Sequence, residues 1–357
     1  MRVLHIPFNT PYIHKLDDEP QFIAVNNRIQ VDGRPLPSDM SYAWILEHLD
    51  DQAFTDSFDI LHLHYGFEFE DMDLINLVLR RLSGKGIVFT CHETHSVHAS
   101  PGYERYLRFM LSRADQLMTL TEGAAIKITR LLTEPKPITV APHGYAMDPR
   151  SPWFGGAGGS SVPEVVMYGA LRPNRDTLTT IANLLMGCVP DCHAQLLTRP
   201  IRDEAQMNAL LPLANLARNN DYGQIELSLP LSDESLAERL ASCDILVLPY
   251  LNAGHSGALE MAFDMGLLPV VTNVGHLPEQ VEHWRLSDPD IPAVIVDWSD
   301  GKTWLYQQRL MDGIRSACGQ IRRFNSADIA DTRRAFRLEE HRKSLQAHDA
   351  VYRAALA

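Results

Sequence analysis

Short apolar runs alternate with amphipathic stretches along the first half of the chain. The apolar runs predict buried strands over residues 3–6, 59–64, 86–90, 116–120 and 137–141. Between most of them, apolar residues at helical spacing predict helices over residues 40–48, 72–81, 103–112 and 122–132. Strands that alternate with helices form a parallel sheet covered on both faces, so this half is predicted to be a doubly wound α/β domain.

The same alternation restarts after residues 151–163, which are rich in glycine, serine and proline and predict a flexible linker. Further strands are predicted over residues 164–168, 193–198, 224–229, 244–248, 268–272 and 293–297, and further helices over 177–186, 204–219, 233–241, 258–265 and 329–357. The predicted domains are residues 1–150, joined by the C-terminal helix from about 335 to 357, and residues 164–334. Ligands of such sheets bind outside the carboxyl ends of the strands, so the site is expected in a cleft between the two domains.

A polar, glycine-containing turn at residues 249–257 separates a buried strand from the helix predicted to begin at about residue 258. Glycines just before a helix let backbone N–H groups and the positive helix end face an anion. Glu260, in the first turn of this helix, is placed to accept hydrogen bonds from ligand hydroxyl groups. A diphosphate beside a ribose fits both features. The alternative is an ordinary β-α-β unit whose glycines only close the loop.

Composition and charge narrow the class of protein. The chain has 357 residues, 45% of them hydrophobic and 22% charged, which is typical of a soluble globular protein with room for two domains. A net charge of −13 argues against nucleic acid or an anionic membrane as the main partner. Neither a transmembrane run nor a secretory signal is recognised, and the five cysteines have no disulfide-framework spacing. A cytoplasmic protein with reduced thiols is therefore expected.

Histidines near two predicted strand ends raise the question of a metal. His62 and His64 alternate along one strand, while His92, His95 and His98 recur every third residue. Cysteines or carboxylates do not complete a closed coordination sphere at a recognisable spacing, so no metal is expected. Their position beside strand ends favours a role in lining a cleft.

Several ordered motifs together resemble the GT-B glycosyltransferases, specifically the retaining family 4 type. Residues 169–176 (GALRPNRD) resemble that family's GRLxPxKG turn, and residues 231–236 (LSDESL) resemble its helix start VSDEEL. Residues 243–249 (CDILVLP) resemble ADVFVLP, and residues 252–260 with 266–279 resemble the block E-x7-E…GxPVVATxVGxxPE. In the first domain, residues 90–93 (TCHE) resemble TxHD, and residues 140–144 (VAPHG) resemble VIPNG. The resemblance covers essentially the whole chain and implies two Rossmann-like domains.

This resemblance also implies roles for individual residues. Glu260 matches the glutamate that bonds the nucleotide's ribose, and Arg175 stands where the family has its diphosphate-binding lysine. His92 matches the histidine that faces the donor sugar near the reacting carbon. The expected catalytic residues are therefore His92, Arg175 and Glu260. The expected donor-binding residues are Arg172, Thr198, Arg199, Leu229, Asn252, His255, Ser256, Gly257, Ala258 and Leu259.

Two positions depart from the family pattern. Asn252 replaces the first glutamate of E-x7-E, and Ala170 replaces an arginine that contacts the diphosphate. Arg172 stands two residues further on and is a candidate to supply the missing cation. A branch of the family with an SG-A/V-L turn is similar to residues 255–259 (HSGAL).

The function implied by the resemblance is metal-independent transfer of a sugar, with retention of configuration, from a nucleotide-diphosphate sugar to an acceptor hydroxyl. No separate cofactor is implied, a UDP-sugar is the expected donor, and the acceptor can be a small molecule, a lipid-linked molecule or a polysaccharide. Two alternatives stay open. One is a non-catalytic GT-B subunit that supports a partner enzyme, which Asn252 and Ala170 favour; the other is a different GT-B chemistry, such as a nucleotide-sugar epimerase or a phosphorylase.

Overall fold

The protein is described here by a computed structural model of residues 1–357, with gaps. The residues outside the description are 8–9, 17–22, 27, 32, 38–39, 66–68, 157, 159–160, 202, 220, 230, 288, 299–302 and 322–326, and at 11, 303 and 327–329 the backbone alone is described. The chain forms two compact units: the first comprises Met1–Gly144 and Glu340–Ala357, and the second comprises Tyr145–Glu339. The division falls before residues 151–163, which belong to the range of the second unit. In that segment Phe154 is buried in the second unit's core, and the N–H group of Gly155 donates to the Asp264 carbonyl at 2.7 Å.

A six-stranded parallel sheet forms the centre of the first unit, in the order β2-β1-β5-β6-β7-β8. The strands are β1 (Arg2–Ile6), β2 (Ile23–Ala24), β3 (Gln30–Val31), β4 (Arg34–Pro35), β5 (Ile60–Leu63), β6 (Gly86–Cys91), β7 (Gln116–Thr119) and β8 (Ile138–Val140). The short strands β3 and β4 form a separate antiparallel pair. The helices are α1 (Pro11–His14), α2 (Tyr42–His48), α3 (Gln52–Thr55), α4 (Met72–Arg81), α5 (Tyr103–Arg113) and α6 (Glu122–Thr129).

The strands and helices predicted for the first half are confirmed, with small differences at their ends. The helices begin where side chains accept hydrogen bonds from the first-turn N–H groups: Ser41 caps α2, Asp71 caps α4 and Thr121 caps α6. The sequence did not predict α1, α3 or β2–β4, because two to four residues are too few to show a periodic pattern.

The second unit contains another six-stranded parallel sheet, in the order β11-β10-β9-β12-β13-β14. Its strands are β9 (Glu164–Tyr168), β10 (His193–Thr198), β11 (Gly223–Leu227), β12 (Ile245–Leu248), β13 (Leu268–Thr272) and β14 (Val294–Val296). Its helices are α7 (Thr177–Leu185), α8 (Glu204–Arg218), α9 (Asp233–Ala241), α10 (Gly257–Met265), α11 (Leu277–Arg285) and α12 (Thr303–Ile321). The chain builds one side of the sheet from β9 to β11 and then returns beside β9 with β12. The strand order therefore reverses between β9 and β12, which is where doubly wound sheets bind ligands.

The long helix α13 (Ala327–Ala355) begins in the second unit and ends in the first. Its last part contributes Val351 and Tyr352 to the first unit's core. Gly86 allows the helix to pack closely against β6, because a Cβ atom there would stand 2.9 Å from the Ala355 carbonyl oxygen. Among the described residues, none of the helices is both long and apolar enough to cross a membrane.

Candidate functional site

Arg175 lies at the carboxyl edge of the second sheet, beside the point where the strand order reverses. Gly169, with φ +107°, turns the chain out of β9, and Arg175 then pairs with Tyr250, which follows β12. The guanidinium lies 4.4 Å from the centre of the Tyr250 ring, Nη2 donates to the Tyr250 hydroxyl, and Nη1 donates to the Tyr168 carbonyl at 3.2 Å. The Nε atom is buried and has no hydrogen-bond partner among the described residues. The carboxyl edge of the sheet therefore holds a fixed cation, and one of its buried N–H groups makes no hydrogen bond to the described residues.

The Tyr250 hydroxyl connects this cation to the start of α10. It lies 2.9 Å from Oγ of Ser256, the residue that caps the helix by accepting from the N–H group of Leu259 at 3.2 Å. The N–H group of Ser256 itself donates to Oε1 of Gln280 at 2.9 Å. Gly257, the first residue of α10, is exposed. A positive helix end and a guanidinium are thus fixed in one hydrogen-bonded assembly, which is suited to an anion.

Glu260 is buried, and its carboxylate is surrounded by side chains of the second unit. Oε1 accepts from Nε2 of Gln280 at 2.7 Å and lies 3.0 Å from Nε2 of His255. Oε2 accepts from the Trp284 indole at 3.3 Å and from Nη2 of Arg337. An ionised carboxylate has about four acceptor positions, so these contacts occupy its capacity. The sequence led us to expect that Glu260 accepts from a ribose; in this arrangement a ribose reaches it only if a neighbouring side chain moves.

Arg337, on α13, holds two carboxylates at once. Its Nε donates to Oδ1 of Asp264 at 2.6 Å, and Nη2 contacts Glu260; all three side chains are at most 5% exposed. Oδ2 of Asp264 accepts from the N–H groups of Ala146 at 2.6 Å and Met147 at 3.0 Å. Burial raises the pKa of Asp264 to about 6, while Arg337 and the backbone donors act in the opposite direction. We call Glu260, Asp264 and Arg337 the charged cluster.

The other predicted donor-binding residues fall into two groups. Thr198, at the end of β10, is buried, and Asn252, after β12, is half-buried. Oγ1 of Thr198 and Oδ1 of Asn252 are buried without a hydrogen-bond partner in the described part of the chain. Arg172 and Arg199 are exposed. Leu229 was predicted to end a strand, but β11 ends at Leu227, and the Leu229 side chain is 75% exposed.

Two of the predicted donor-binding residues within α10 can contact a ligand with little more than their backbone groups. Ala258 is half-buried and has only a methyl side chain, and Leu259 is fully buried in the core cluster that includes Phe263 and Trp284. Sequence reasoning missed Tyr250, Gln280 and Arg337. Tyr250 directly follows Pro249 at a strand end, a position that could have identified it, but no local pattern indicates that Arg337 contacts Glu260 from another helix.

In the first unit, His92 is the outer member of a row of imidazoles. Nε2 of His92 lies 3.1 Å from Nδ1 of His64, and Nε2 of His64 lies 3.1 Å from Nδ1 of His5. The strand register places His5 opposite His62, whose ring nitrogens lie 2.8 Å from the Tyr352 hydroxyl and 2.7 Å from Oγ1 of Thr90. His5, His62 and His64 are buried, whereas His92 is half-buried. We call His5, His64 and His92 the imidazole chain.

Burial keeps the inner histidines uncharged. It lowers the pKa of His5 to about 3 and holds the pKa values of His62 and His64 well below the usual value. Ring nitrogens of His5, His62 and His64 all lie within 4.8 Å of one another, so these residues are the candidate metal ligands in the described part of the chain. Both nitrogens of His62 already contact hydroxyl groups, however, so a metal would have to displace Thr90 or Tyr352. His95 is exposed and contacts Lys127 instead.

No family model matches the sequence, and no curated protein matches it either. Solved structures do match its fold. A glycosyltransferase from Rickettsia africae ESF-5 is 13% identical and matches with a TM-score of 0.61 over 99% of this chain and 98% of that one. HepE from Anabaena, in complex with UDP and glucose, is 12% identical with a TM-score of 0.66 over 98% and 99% of the two chains. Sucrose-phosphate synthase from Thermosynechococcus elongatus is 15% identical with a TM-score of 0.60 over 99% and 96%.

These similarities cover nearly the whole chain, at identities that carry information about fold alone. The predicted α/β class with two doubly wound parallel sheets is confirmed, because each unit contains six parallel strands. The chain therefore has the fold of the GT-B glycosyltransferases.

Proposed function

We propose that the protein is a glycosyltransferase that moves a sugar from a nucleoside-diphosphate sugar to an acceptor hydroxyl. The observation that carries the proposal is the assembly at the reversal point of the second sheet, where Tyr250 joins Arg175 to the capped start of α10. A guanidinium beside exposed helix N–H groups suits a diphosphate. HepE, which has the same fold, has been crystallised with UDP and with UDP-glucose, so a UDP-sugar is the proposed donor.

In the proposed reaction, negative charge develops on the diphosphate as the bond to the sugar breaks. Arg175 and the N–H groups of Gly257 and Ala258, in the first turn of α10, are held in place before the reaction, so they stabilise this charge in the transition state more than they stabilise the ground state. His92 is proposed to hydrogen-bond the transferred sugar. We further propose retention of configuration, with the departing phosphate accepting the proton of the acceptor hydroxyl, and no requirement for a metal.

The ribose is proposed to bind at Glu260 after a small rearrangement. Of the side chains around its carboxylate, His255 belongs to the turn that would contact the diphosphate, and its Nε2 lies 3.0 Å from Oε1. A ribose hydroxyl would take the place of this ring, while Gln280, Trp284 and Arg337 keep the carboxylate in position.

Calorimetric titration with UDP, GDP and dTDP, followed by mass spectrometry of mixtures with nucleotide sugars and acceptors, tests the proposal. Arg175→Gln should weaken diphosphate binding about tenfold or more, since a charged hydrogen bond contributes about 1.5–3 kcal/mol. The exposed Arg218, at the end of α8, provides a matched control: Arg218→Gln should leave binding unchanged. Equal affinities in both variants would refute the diphosphate site.

A contact between Glu260 and the ribose is tested by comparing UDP with 2′-deoxy-UDP. The unsubstituted protein should bind UDP more tightly than 2′-deoxy-UDP. Glu260→Ala should weaken UDP binding and remove this difference in affinity. A preference that persists in the variant would place the ribose elsewhere.

The occupied carboxylate of Glu260 favours a second candidate, a subunit with this fold that supports a partner enzyme without catalysing transfer. Turnover of a nucleotide sugar by the isolated chain would exclude it.

A further inference from the structure

The imidazole chain leads from the core of the first unit to its surface through two hydrogen bonds of equal length. His5 is the buried end of the imidazole chain and lies near the carboxyl end of β1. His64 directly follows β5, and His92 directly follows β6. Each link, from His5 to His64 and from His64 to His92, measures 3.1 Å. Both ring nitrogens of His64 are therefore used within the chain.

A neutral imidazole carries one N–H group, so it donates at one ring nitrogen and accepts at the other. His64 is neutral because it is buried, with its pKa well below the usual value. It must therefore donate to one neighbour and accept from the other, and the two hydrogen bonds run in the same direction. Two proton arrangements satisfy this condition: one runs from His5 outward to His92, and the other runs inward.

The buried end of the chain distinguishes the two arrangements. Nε2 of His5 is buried and has no hydrogen-bond partner among the residues that the structure describes. In the inward arrangement this atom carries the proton and becomes a buried N–H group without an acceptor in the described part of the chain, and buried N–H groups without acceptors are rare in proteins. In the outward arrangement the proton is on Nδ1 of His5 and is donated to His64, so only a lone pair is left without a partner. The outward arrangement is therefore favoured.

We propose that His64, supported by His5, is a positioning residue that fixes His92 as the tautomer with its proton on Nδ1. In this arrangement the N–H group at Nδ1 of His64 donates to Nε2 of His92, which occupies the lone pair of that atom. The ring of Tyr12, whose centre lies 4.9 Å from that of His92, restricts the same imidazole from its side. His92 then has an N–H group at Nδ1 and no lone pair with which to remove a proton. It can orient a sugar by donating a hydrogen bond, but it cannot serve as the base. This catalytic consequence rests on the proposed function, whereas the tautomer does not.

Nitrogen NMR of the full chain labelled with ¹⁵N-histidine reads the tautomer directly. The His92 signals are identified by their loss in His92→Gln, and they should show a protonated Nδ1 and an unprotonated Nε2 at neutral pH. His64→Asn places an amide nitrogen near the position of Nδ1 and retains the donor to His92, whereas His64→Leu removes it. The His92 tautomer should persist in the first variant and lose its preference in the second. A proton on Nε2 in the unchanged protein, or an unchanged tautomer in His64→Leu, would overturn the proposal.

Transfer kinetics test the positioning role separately. His64→Leu should lower kcat about tenfold or more, because a misplaced group close to the reaction costs up to about a hundredfold. His64→Asn should recover kcat to within about threefold, and the affinity for UDP alone should not change in either variant. His48→Leu, at the end of α2 and outside the imidazole chain, controls for the loss of a histidine. A shifted tautomer with an unchanged kcat would refute the positioning role. The expected tautomer in a protein that transfers no sugar would refute the proposed function alone.

Discussion

The two units bury polar groups in contrasting ways. The first unit buries neutral groups, with His5, His62 and His64 joined to one another or to hydroxyl groups. The second unit buries charges, with Arg337 between Glu260 and Asp264. Burying a neutral hydrogen-bonded group costs little free energy, whereas each buried ion costs several kcal/mol unless it is paired.

The neutral histidines and the paired charges hold their side chains in place by different interactions. Different conditions should therefore destabilise the two units. Neutral imidazoles keep their arrangement only while they stay unprotonated. Paired charges tolerate changes in pH better, but each depends on its partner. The comparison therefore predicts that acid affects the first unit more, and that loss of a single side chain affects the second unit more.

The largest expected effect is the response of the first unit to acid. His5 and His348 have pKa values lowered to about 3 and about 4 by burial, and those of His62 and His64 are also well below normal. Above pH about 6.5 these histidines are neutral in both the folded and unfolded states. As the pH falls from there towards the folded values, the unfolded state binds protons that the folded state cannot. Each such histidine lowers the free energy of unfolding by up to about 1.4 kcal/mol per pH unit.

Asp264 should respond with the opposite sign. Its folded pKa of about 6 is above the unfolded value of about 3.9, so its buried charge lowers the free energy of unfolding at neutral pH, and this cost diminishes as the pH falls and the folded state takes up the proton first. Hydrogen exchange measured by mass spectrometry at pH 7 and pH 5, corrected for the intrinsic exchange rate, separates the units. Peptides from β1 and β5 should lose protection, and peptides from β12 should keep it. Equal losses in both units would contradict the comparison, and His348→Gln should reduce the pH dependence by about one proton.

The next effect in size is the loss of Arg337. Arg337→Met keeps most of the side-chain volume but leaves two buried carboxylates without their cation, which should lower the free energy of unfolding by about 3–5 kcal/mol. Arg334→Met is the matched control on the same helix. Arg334 is 35% exposed and lies 4.0 Å from an exposed Asp331, so its loss should cost about 1 kcal/mol or less.

Denaturant titration of both variants measures these differences. Adding Asp264→Asn to Arg337→Met should recover part of the loss, because one unpaired charge is then removed. If the two arginine variants were equally stable, the carboxylates of the charged cluster would have to be protonated already.

The sequence predicted the regular elements better than the contacts around the site. Strands β9, β10 and β13 and helices α4 and α9 have the predicted bounds, because periodicity and N-cap residues are local signals. The turn before α10 and its Glu260 were also found locally, through glycines and a family resemblance. The contact from Arg337 to Glu260 spans 77 positions in the chain, and a single sequence contains no signal that pairs them.

The histidines show the same limit in the first unit. Alternation along β5 indicates that His62 and His64 share a face, but the partner of each ring depends on strand register and on α13. His5 stands opposite His62 only because β1 pairs with β5, and Tyr352 reaches His62 from a helix near the end of the chain. The tertiary structure, and not the spacing of the histidines, determines which nitrogen meets which partner.

The smallest expected effect is the loss of a single tyrosine hydroxyl group, tested at three positions with different surroundings. Tyr250→Phe keeps the ring beneath the Arg175 guanidinium but removes the hydroxyl that joins Arg175 to Ser256. The free energy of unfolding should fall by about 1 kcal/mol, and diphosphate affinity should fall roughly fivefold. Tyr306→Phe is the control, because the Tyr306 hydroxyl is buried and has no partner among the described residues. Its removal should be neutral or slightly stabilising.

Tyr352→Phe makes the same change in the first unit, where the hydroxyl contacts Nδ1 of His62 at 2.8 Å. It should destabilise the protein by about 1 kcal/mol without changing diphosphate affinity, since it leaves a buried ring nitrogen without a partner. Denaturant titration and calorimetry on the three variants separate the two readouts. If Tyr250→Phe and Tyr352→Phe lower diphosphate affinity equally, the hydroxyl of Tyr250 has no special link to the anion. If only Tyr250→Phe lowers diphosphate affinity, the Tyr250 hydroxyl couples Arg175 to the start of α10, and the diphosphate binds at the second unit.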